Sequence, residues 1–238
     1  MDDACIRASG LNKAYVTGDS VTPVLQEVGL EVTRGECLFL VGPSGSGKTT
    51  LLSILGCILS PDSGALTICD TEVSAFSSTE QARFRREKLG FVFQKFHLFA
   101  ALSALENVQI AYALIGTNKL ESRRQSLELL DRVGLAHKAG SQVRHLSMGQ
   151  RQRVALARAL AGNPEVILAD EPTASLDAEA GMNAMHVLKE LCRSLNKTVV
   201  VVTHDSRIFP MADRILRLSN GRIAPEPVPE TPYSTSAA

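Results

Sequence analysis

The residues best equipped for chemistry in this chain are those that can hold and cleave a phosphate anhydride. Gly42-Pro43-Ser44-Gly45-Ser46-Gly47-Lys48-Thr49 fits the pattern G-x-x-x-x-G-K-[ST]. Its glycines let backbone N–H groups approach phosphate oxygens, Lys48 supplies a positive charge, and the Thr49 hydroxyl is a ligand for Mg²⁺. Asp170-Glu171 closes the apolar run Val166-Ile167-Leu168-Ala169. Alone, the two acids could be a helix cap before Pro172. Beside a phosphate loop they divide into a carboxylate for metal, Asp170, and one that polarises the attacking water, Glu171. His204 follows Val199-Val200-Val201-Val202-Thr203 and Gln94 follows Gly90-Phe91-Val92-Phe93. A lone histidine is ordinarily a satisfied capping or core residue, but one placed just after a parallel strand can reach a γ-phosphate. The Gln94 amide can coordinate Mg²⁺ and orient water; a surface glutamine is the plainer reading of that residue alone.

The elements that must position these groups follow from the apolar pattern. Cys37-Leu38-Phe39-Leu40-Val41 reads as a buried strand entering the phosphate loop, and Thr49 to Leu55 as a helix leaving it, which aims the positive end of the helix dipole at phosphate. Further strand-like runs fall at 66–69, 90–93, 166–169, 198–203 and 213–218 with helical patterns between several of them, so an α/β core with a mainly parallel sheet is expected. Ser60-Pro61-Asp62-Ser63-Gly64 is a turn before an antiparallel-looking segment, Ala65 to Asp70. Residues 103–115 and 119–133 carry helix-spaced apolar positions, predicting a helical subdomain inserted over about 95–155. Leu146-Ser147-Met148-Gly149-Gln150 opens a helix through Leu160 that Asn163-Pro164 ends. Ser78-x-x-Gln81 reads as a capping box, making Arg83, Arg85, Arg86 and Lys88 a solvated helix face.

Composition narrows the classes. The 238 residues are 45% hydrophobic, enough for one domain with a subdomain, and the charge balances at 25 basic against 25 acidic residues. That leaves no electrostatic footprint for a nucleic-acid partner. Five scattered cysteines, mostly in apolar segments, read as reduced core residues of a cytosolic protein. The acidic start is unlike a signal peptide, and no run approaches the ~18 apolar residues of a membrane span, so a membrane role requires a partner. Residues 224–238, rich in Pro, Ser and Thr, read as a flexible tail.

The phosphate loop, Gln94, Leu-Ser-x-Gly-Gln, Asp170-Glu171, Ser175-Leu176-Asp177 and His204, in this order, resemble the nucleotide-binding subunit of an ATP-binding cassette (ABC) transporter over residues 5–223. The resemblance implies a P-loop NTPase core with an antiparallel β subdomain, ATP and Mg²⁺ as ligands, and a head-to-tail pair of subunits with ATP at the interface. It implies that ATP lies between one subunit's loop (Gly42, Pro43, Ser44, Gly45, Ser46, Gly47, Lys48, Thr49, Thr50) and the other's Ser147, Gly149 and Gln150. Tyr15 resembles the aromatic residue that stacks on adenine, with a half-buried structural tyrosine as the other reading. Glu171 resembles the catalytic base, and His204 the residue that bridges γ-phosphate and the partner's Asp177 region. Met148 stands where close relatives usually have glycine. Gly42 to Lys48, Glu106-Asn107-Val108 and Asp170 to Asp177 are similar to the macrolide-exporter and lipoprotein-releasing group, and Thr203 to Phe209 with Ala212 to Ile215 to heterocyst-type glycolipid exporters. That likeness implies a membrane permease subunit, at times a periplasmic adaptor reached through it, and a place on the cytoplasmic face of the inner membrane. Lys95 to Leu102 is too apolar for a free loop; it reads either as packing of the helical subdomain or as a groove for a permease helix. A soluble ABC ATPase acting on ribosomes or nucleic acid is the rival reading.

Overall fold

The computed structural model describes residues 3–224; the expected tail lies, beyond Ala224, outside the described residues. The chain opens with a long hairpin, β1 (Ala4–Thr17) and β2 (Ser20–Thr33), followed by β3 (Cys37–Val41) and α1 (Lys48–Leu55). After β4 (Ser63–Ile68), β5 (Thr71–Glu72), α2 (Ser78–Lys88) and β6 (Leu89–Val92) come three further helices, α3 (Ala104–Leu114), α4 (Lys119–Arg132) and α5 (Met148–Leu160). The rest alternates: β7 (Val166–Asp170), α6 (Ala178–Ser194), β8 (Thr198–Val202), β9 (Arg214–Ser219) and β10 (Arg222–Ile223).

Two sheets result. One is antiparallel, β2-β1-β4-β5; the other runs β10-β9-β3-β8-β7-β6, parallel from β9 to β6, with β10 antiparallel at its edge. β3 and β8 are buried at every residue, as strands covered on both faces must be. Their alternation assigns each face. Phe39, Val41, Ile167, Ala169, Val199 and Val201 join the core built with α3 to α6, whereas Leu38, Leu40, Leu168, Val200 and Val202 join the core shared with α1 and the antiparallel sheet. The parallel sheet is thus the middle layer, and its C-terminal edge is where β3, β7 and β8 each deliver a loop.

Helix starts follow side-chain chemistry. Ser77-Glu80, Ser103-Glu106 and Ser147-Gln150 are capping boxes, and Asn118 and Asp177 cap α4 and α6. The box expected at Ser78 and Gln81 is therefore one residue earlier; Gln81 is buried and donates to Ser60 Oγ at 2.8 Å. Nor is the basic face of α2 uniformly solvated, because Lys88 pairs with Glu165 at 2.6 Å and Arg85 donates to the Cys57 carbonyl. α5 continues past residue 155, and its far end lies on β6, where a Cβ on Gly90 would fall 2.0 Å from the Ala159 carbonyl oxygen. Among the described residues no helix is long and apolar enough to cross a membrane.

Candidate functional site

The loop from β3 to α1 is shaped by contacts that exclude side chains. Gly42, at φ 154°, would place a Cβ 2.0 Å from the Leu218 carbonyl, and Gly47, the N-cap of α1 at φ 101°, would place one 2.8 Å from the Val24 carbonyl. Gly47 offers no side-chain cap, so the first N–H groups of α1 remain donors for an anion. Lys48 Nζ donates to the Gly42 and Pro43 carbonyls, both at 2.8 Å, which holds its ammonium across the loop. Tyr15 is 42% exposed on β1, and its hydroxyl lies 3.5 Å from Thr50 Oγ1, placing the ring beside the start of α1.

At the adjoining strand ends, Asp170 closes β7 with Oδ1 buried and without a hydrogen-bond partner. Burial first, and the neighbouring Glu171 carboxylate second, raise its pKa above the ordinary 3.8, while Lys48 and the Thr49 hydroxyl pull the other way. An orphaned carboxylate oxygen beside a hydroxyl is a hard, oxygen donor set that suits Mg²⁺, an ion commonly held by one or two protein groups together with substrate phosphates. Glu171 has a left-handed backbone, φ 46°, fixed by its N–H to the Val202 carbonyl at 2.9 Å. Its Oε1 lies 2.7 Å from His204 Nδ1, so β7 and β8 bring carboxylate and imidazole together directly. Asp205 next to it accepts from Thr173 at 2.9 Å and pairs with Arg207; the Arg207 hydrogen bond above all lowers its pKa to about 2.

Gln94 enters through its backbone: its carbonyl accepts from Ser175 Oγ at 3.0 Å. The chain after it turns through left-handed residues, Phe96 at φ 60° and His97 at φ 47°. Arg158, near the end of α5, donates to the carbonyls of both, at 2.6 Å to Phe96. Farther along, the fully buried Asn107 clips the segment by donating to the Phe99 and Ser103 carbonyls and accepting the Phe99 N–H at 2.8 Å. Arg158 is thus a site-shaping residue that motif reading missed, while Ser175 and Asn107 stood within motifs that gave no sign of the contacts they make here. Phe96 is 6% exposed and belongs to the core, so it does not present itself to a permease. The neighbouring groove, about 390 Å³, is lined instead by Phe93, His97, Ile110, Leu114 and Arg158.

Ser147, Gly149 and Asp177 gather elsewhere. They line a cavity of about 740 Å³ between α5 and α6 to which no residue of the phosphate loop contributes. Ser147 Oγ accepts the Gln150 N–H at 3.2 Å, Gln150 Oε1 accepts the Ser147 N–H at 3.0 Å, and Asp177 caps α6 through the Ala180 N–H. One chain therefore brings Lys48, Thr49, Asp170, Glu171 and His204 to one place and the start of α5 to another.

The ABC transporter family profile matches residues 25–174. The lipoprotein-releasing system ATP-binding protein LolD of a Shewanella species is 42% identical over 93% of this chain and 96% of its own length. This chain belongs to the ABC transporter family. It is an ABC ATPase domain. The macrolide export ATP-binding/permease protein MacB of Burkholderia thailandensis is 44% identical over 94% of the chain, which spans only 34% of that relative. In structure the ABC domain resembles the cassette MJ0796, in a dimer after hydrolysis with ADP and Pi bound, at a TM-score of 0.85 and 38% identity over 95% of this chain and 100% of that one. The α/β core, the antiparallel sheet and the helices 104–160 are thus those of an ABC cassette.

Proposed function

We propose that this ABC domain drives a membrane permease in export, or in the extraction of lipid or lipoprotein, by ATP-dependent pairing with a second copy of itself. The observation that carries the reading is the separation of Ser147 and Gly149 from the phosphate loop on one chain. A helix N-terminus attracts anions, and α5 can offer its own to the ATP of another copy. The dimeric MJ0796 cassettes support that arrangement, and the permease-fused MacB and the LolD subunit support a membrane partner.

In this reading the loop from Gly42 to Thr50 cradles the phosphates, Lys48 offsets their charge and Tyr15 stacks on adenine. Mg²⁺, when bound, neutralises the phosphate oxygens; Thr49, Asp170 and Gln94 are the residues that would hold it. Glu171 orients and polarises the attacking water, and His204, hydrogen-bonded to Glu171, bridges the γ-phosphate and the Asp177 region of the second copy. Ser147, Gly149 and Gln150 close the site from the second copy, whose Asp177 lies beside them. The domain comprises residues 1–223 with a helical subdomain over about 95–155, works at the cytoplasmic face of the membrane, and reaches a periplasmic adaptor only through the permease. The heterocyst-type glycolipid subtype rests on Thr203 to Phe209 and Ala212 to Ile215 alone.

Size-exclusion chromatography of Glu171→Gln tests the pairing. With ATP the variant is expected to elute as a dimer and without it as a monomer, and adding Ser147→Arg should abolish the dimer. A monomer under all conditions would remove the sandwich reading.

A further inference from the structure

Cys5 on β1 and Cys69, the first residue of the turn between β4 and β5, face each other across the antiparallel sheet. The strands pair in the register Ile6 with Ile68, so the cysteines are the next partners outward, and the Cys69 N–H donates to the Cys5 carbonyl at 2.8 Å. Their sulfurs stand 3.7 Å apart. Cys69 and Asp70 have φ 49° and 61°, the left-handed pair that a two-residue hairpin loop of this twist uses. Cys5 is enclosed, and Cys69 is partly exposed, so the pair is reached from the turn side.

The surroundings treat the two sulfurs differently. Arg34, after β2, binds Asp70 at 2.5 Å and Glu165 at 3.2 Å, and Lys88 binds Glu165 at 2.6 Å. With Lys197 these cations outnumber the carboxylates, Glu165 and Asp70, around the pair. The Cys69 thiol has two acceptors, the Cys5 sulfur and the Glu165 carboxylate, and so keeps its proton, pushed well up. Cys5 receives hydrogen bonds from Cys69 and Thr198 beside Arg34, and its pKa falls to about 7 despite burial. Cys37, Cys57 and Cys192 are pushed up instead, to about 12, 11 and 12, with burial the main cause in each. A thiolate beside a thiol that holds its proton is the arrangement for attack and resolution.

We propose that Cys5 and Cys69 form a dithiol that hydroperoxides oxidise to a disulfide, a modification site apart from the ATP site. The Cys5 thiolate attacks the peroxide oxygen; the O–O bond breaks, alkoxide or hydroxide leaves and takes up a proton, and Cys5 becomes a sulfenic acid. Cys69 then attacks that sulfur, the S–O bond breaks, and water leaves with the Cys69 proton. Two thiols and one hydroperoxide thus give one disulfide, one alcohol (or water, from hydrogen peroxide) and one water. Glu165 precedes β7, whose other end is Asp170, so the dithiol lies a strand's length from the site of hydrolysis, roughly 16 Å.

Hydrogen peroxide added to the reduced full chain tests this, with thiol counting and mass spectrometry of proteolytic peptides. The count should fall from five to three, with one linked peptide pair joining Cys5 and Cys69. Cys69→Ser should stop at a sulfenic acid on Cys5 that a cyclic diketone traps. Cys5→Ser should consume peroxide at least tenfold more slowly than wild type, and Cys57→Ser, a control, at the wild-type rate. Unmodified wild-type thiols, links joining other cysteines, or equal rates in Cys5→Ser and wild type would each overturn the proposal. The wild-type arm stands whether or not the variants fold.

Discussion

Asp170→Asn should raise the stability of the free protein while weakening its response to Mg-ATP. Asparagine keeps a polar atom where the buried Oδ1 lacks a partner, so what the substitution relieves is the burial of charge and its repulsion from Glu171. An unsatisfied buried group costs ~1–3 kcal/mol when neutral and more when charged, and only that excess is gained. The residue is only partly buried and Lys48 offsets part of the penalty, so about 1 kcal/mol is the working figure. For a chain of this size that corresponds to about 2–4 °C in melting temperature. The sign follows from linkage. The folded pKa is raised above 3.8, so the stability this carboxyl contributes is fully present below that value and is lost as pH rises through the folded pKa. The asparagine variant lacks this loss, so its advantage should be absent at the acid end of the carboxylate range and complete at neutral pH. Saturating Mg-ATP reverses the order, because a ligand at a hundredfold its Kd stabilises wild type by about 2.7 kcal/mol and the variant gains less. Thermal melts from about pH 3 to 7.5, with and without Mg-ATP, measure both effects. A variant no more stable than wild type at neutral pH without nucleotide, or one with an undiminished Mg-ATP shift, would refute the reasoning.

Phe96→Ala, at a position 6% exposed, should cost about 3 kcal/mol in urea unfolding. Phe99→Ala, at one 56% exposed, should stay within about 0.5 kcal/mol yet weaken co-purification with a permease. Gly90→Ala sets a Cβ 2.0 Å from the Ala159 carbonyl and must push α5 off β6, costing about 1–3 kcal/mol; an unchanged melting temperature would show that the two elements are not in close packing. Tyr15→Ala should weaken ATP binding in a fluorescent-nucleotide titration by about 1–3 kcal/mol, the size of a stacking contact, and unchanged affinity would take Tyr15 out of the adenine site.

Legibility tracked how continuous each apolar signal was. Cys37 to Val41 and Val199 to Val202 are unbroken runs because both faces of those strands are covered, and they stood out at once. The long hairpin did not, although β1 and β2 are the longest strands. Its register shifts at Ala4/Ile6, Ala8/Leu11 and Leu11/Lys13 break the two-residue alternation, and its far end is exposed. Residues singled out by motif order, such as Lys48, Asp170 and His204, are legible from spacing, and the structure brings them to one place. Those that act through tertiary contact are not legible: nothing near Arg158 in sequence points to the Phe96 and His97 carbonyls, 62 and 61 residues away. The capping box of α2 was displaced by one residue because Ser77 and Ser78 both fit locally and only the backbone distinguishes them.

α5 begins at the Ser147 cap and, without interruption, reaches Arg158, which holds the segment after Gln94. Its thirteen residues make a rod of about 20 Å. Inserting one residue between Arg151 and Ala157 would turn the guanidinium about 100° around the axis relative to Ser147 and advance it about 1.5 Å, tearing it from both carbonyls. Chimeras that graft the segment 95–102 from a relative must therefore conserve the length of α5 to the residue. Length differences can be absorbed between α3 and α4, where Gly116 has open space around it.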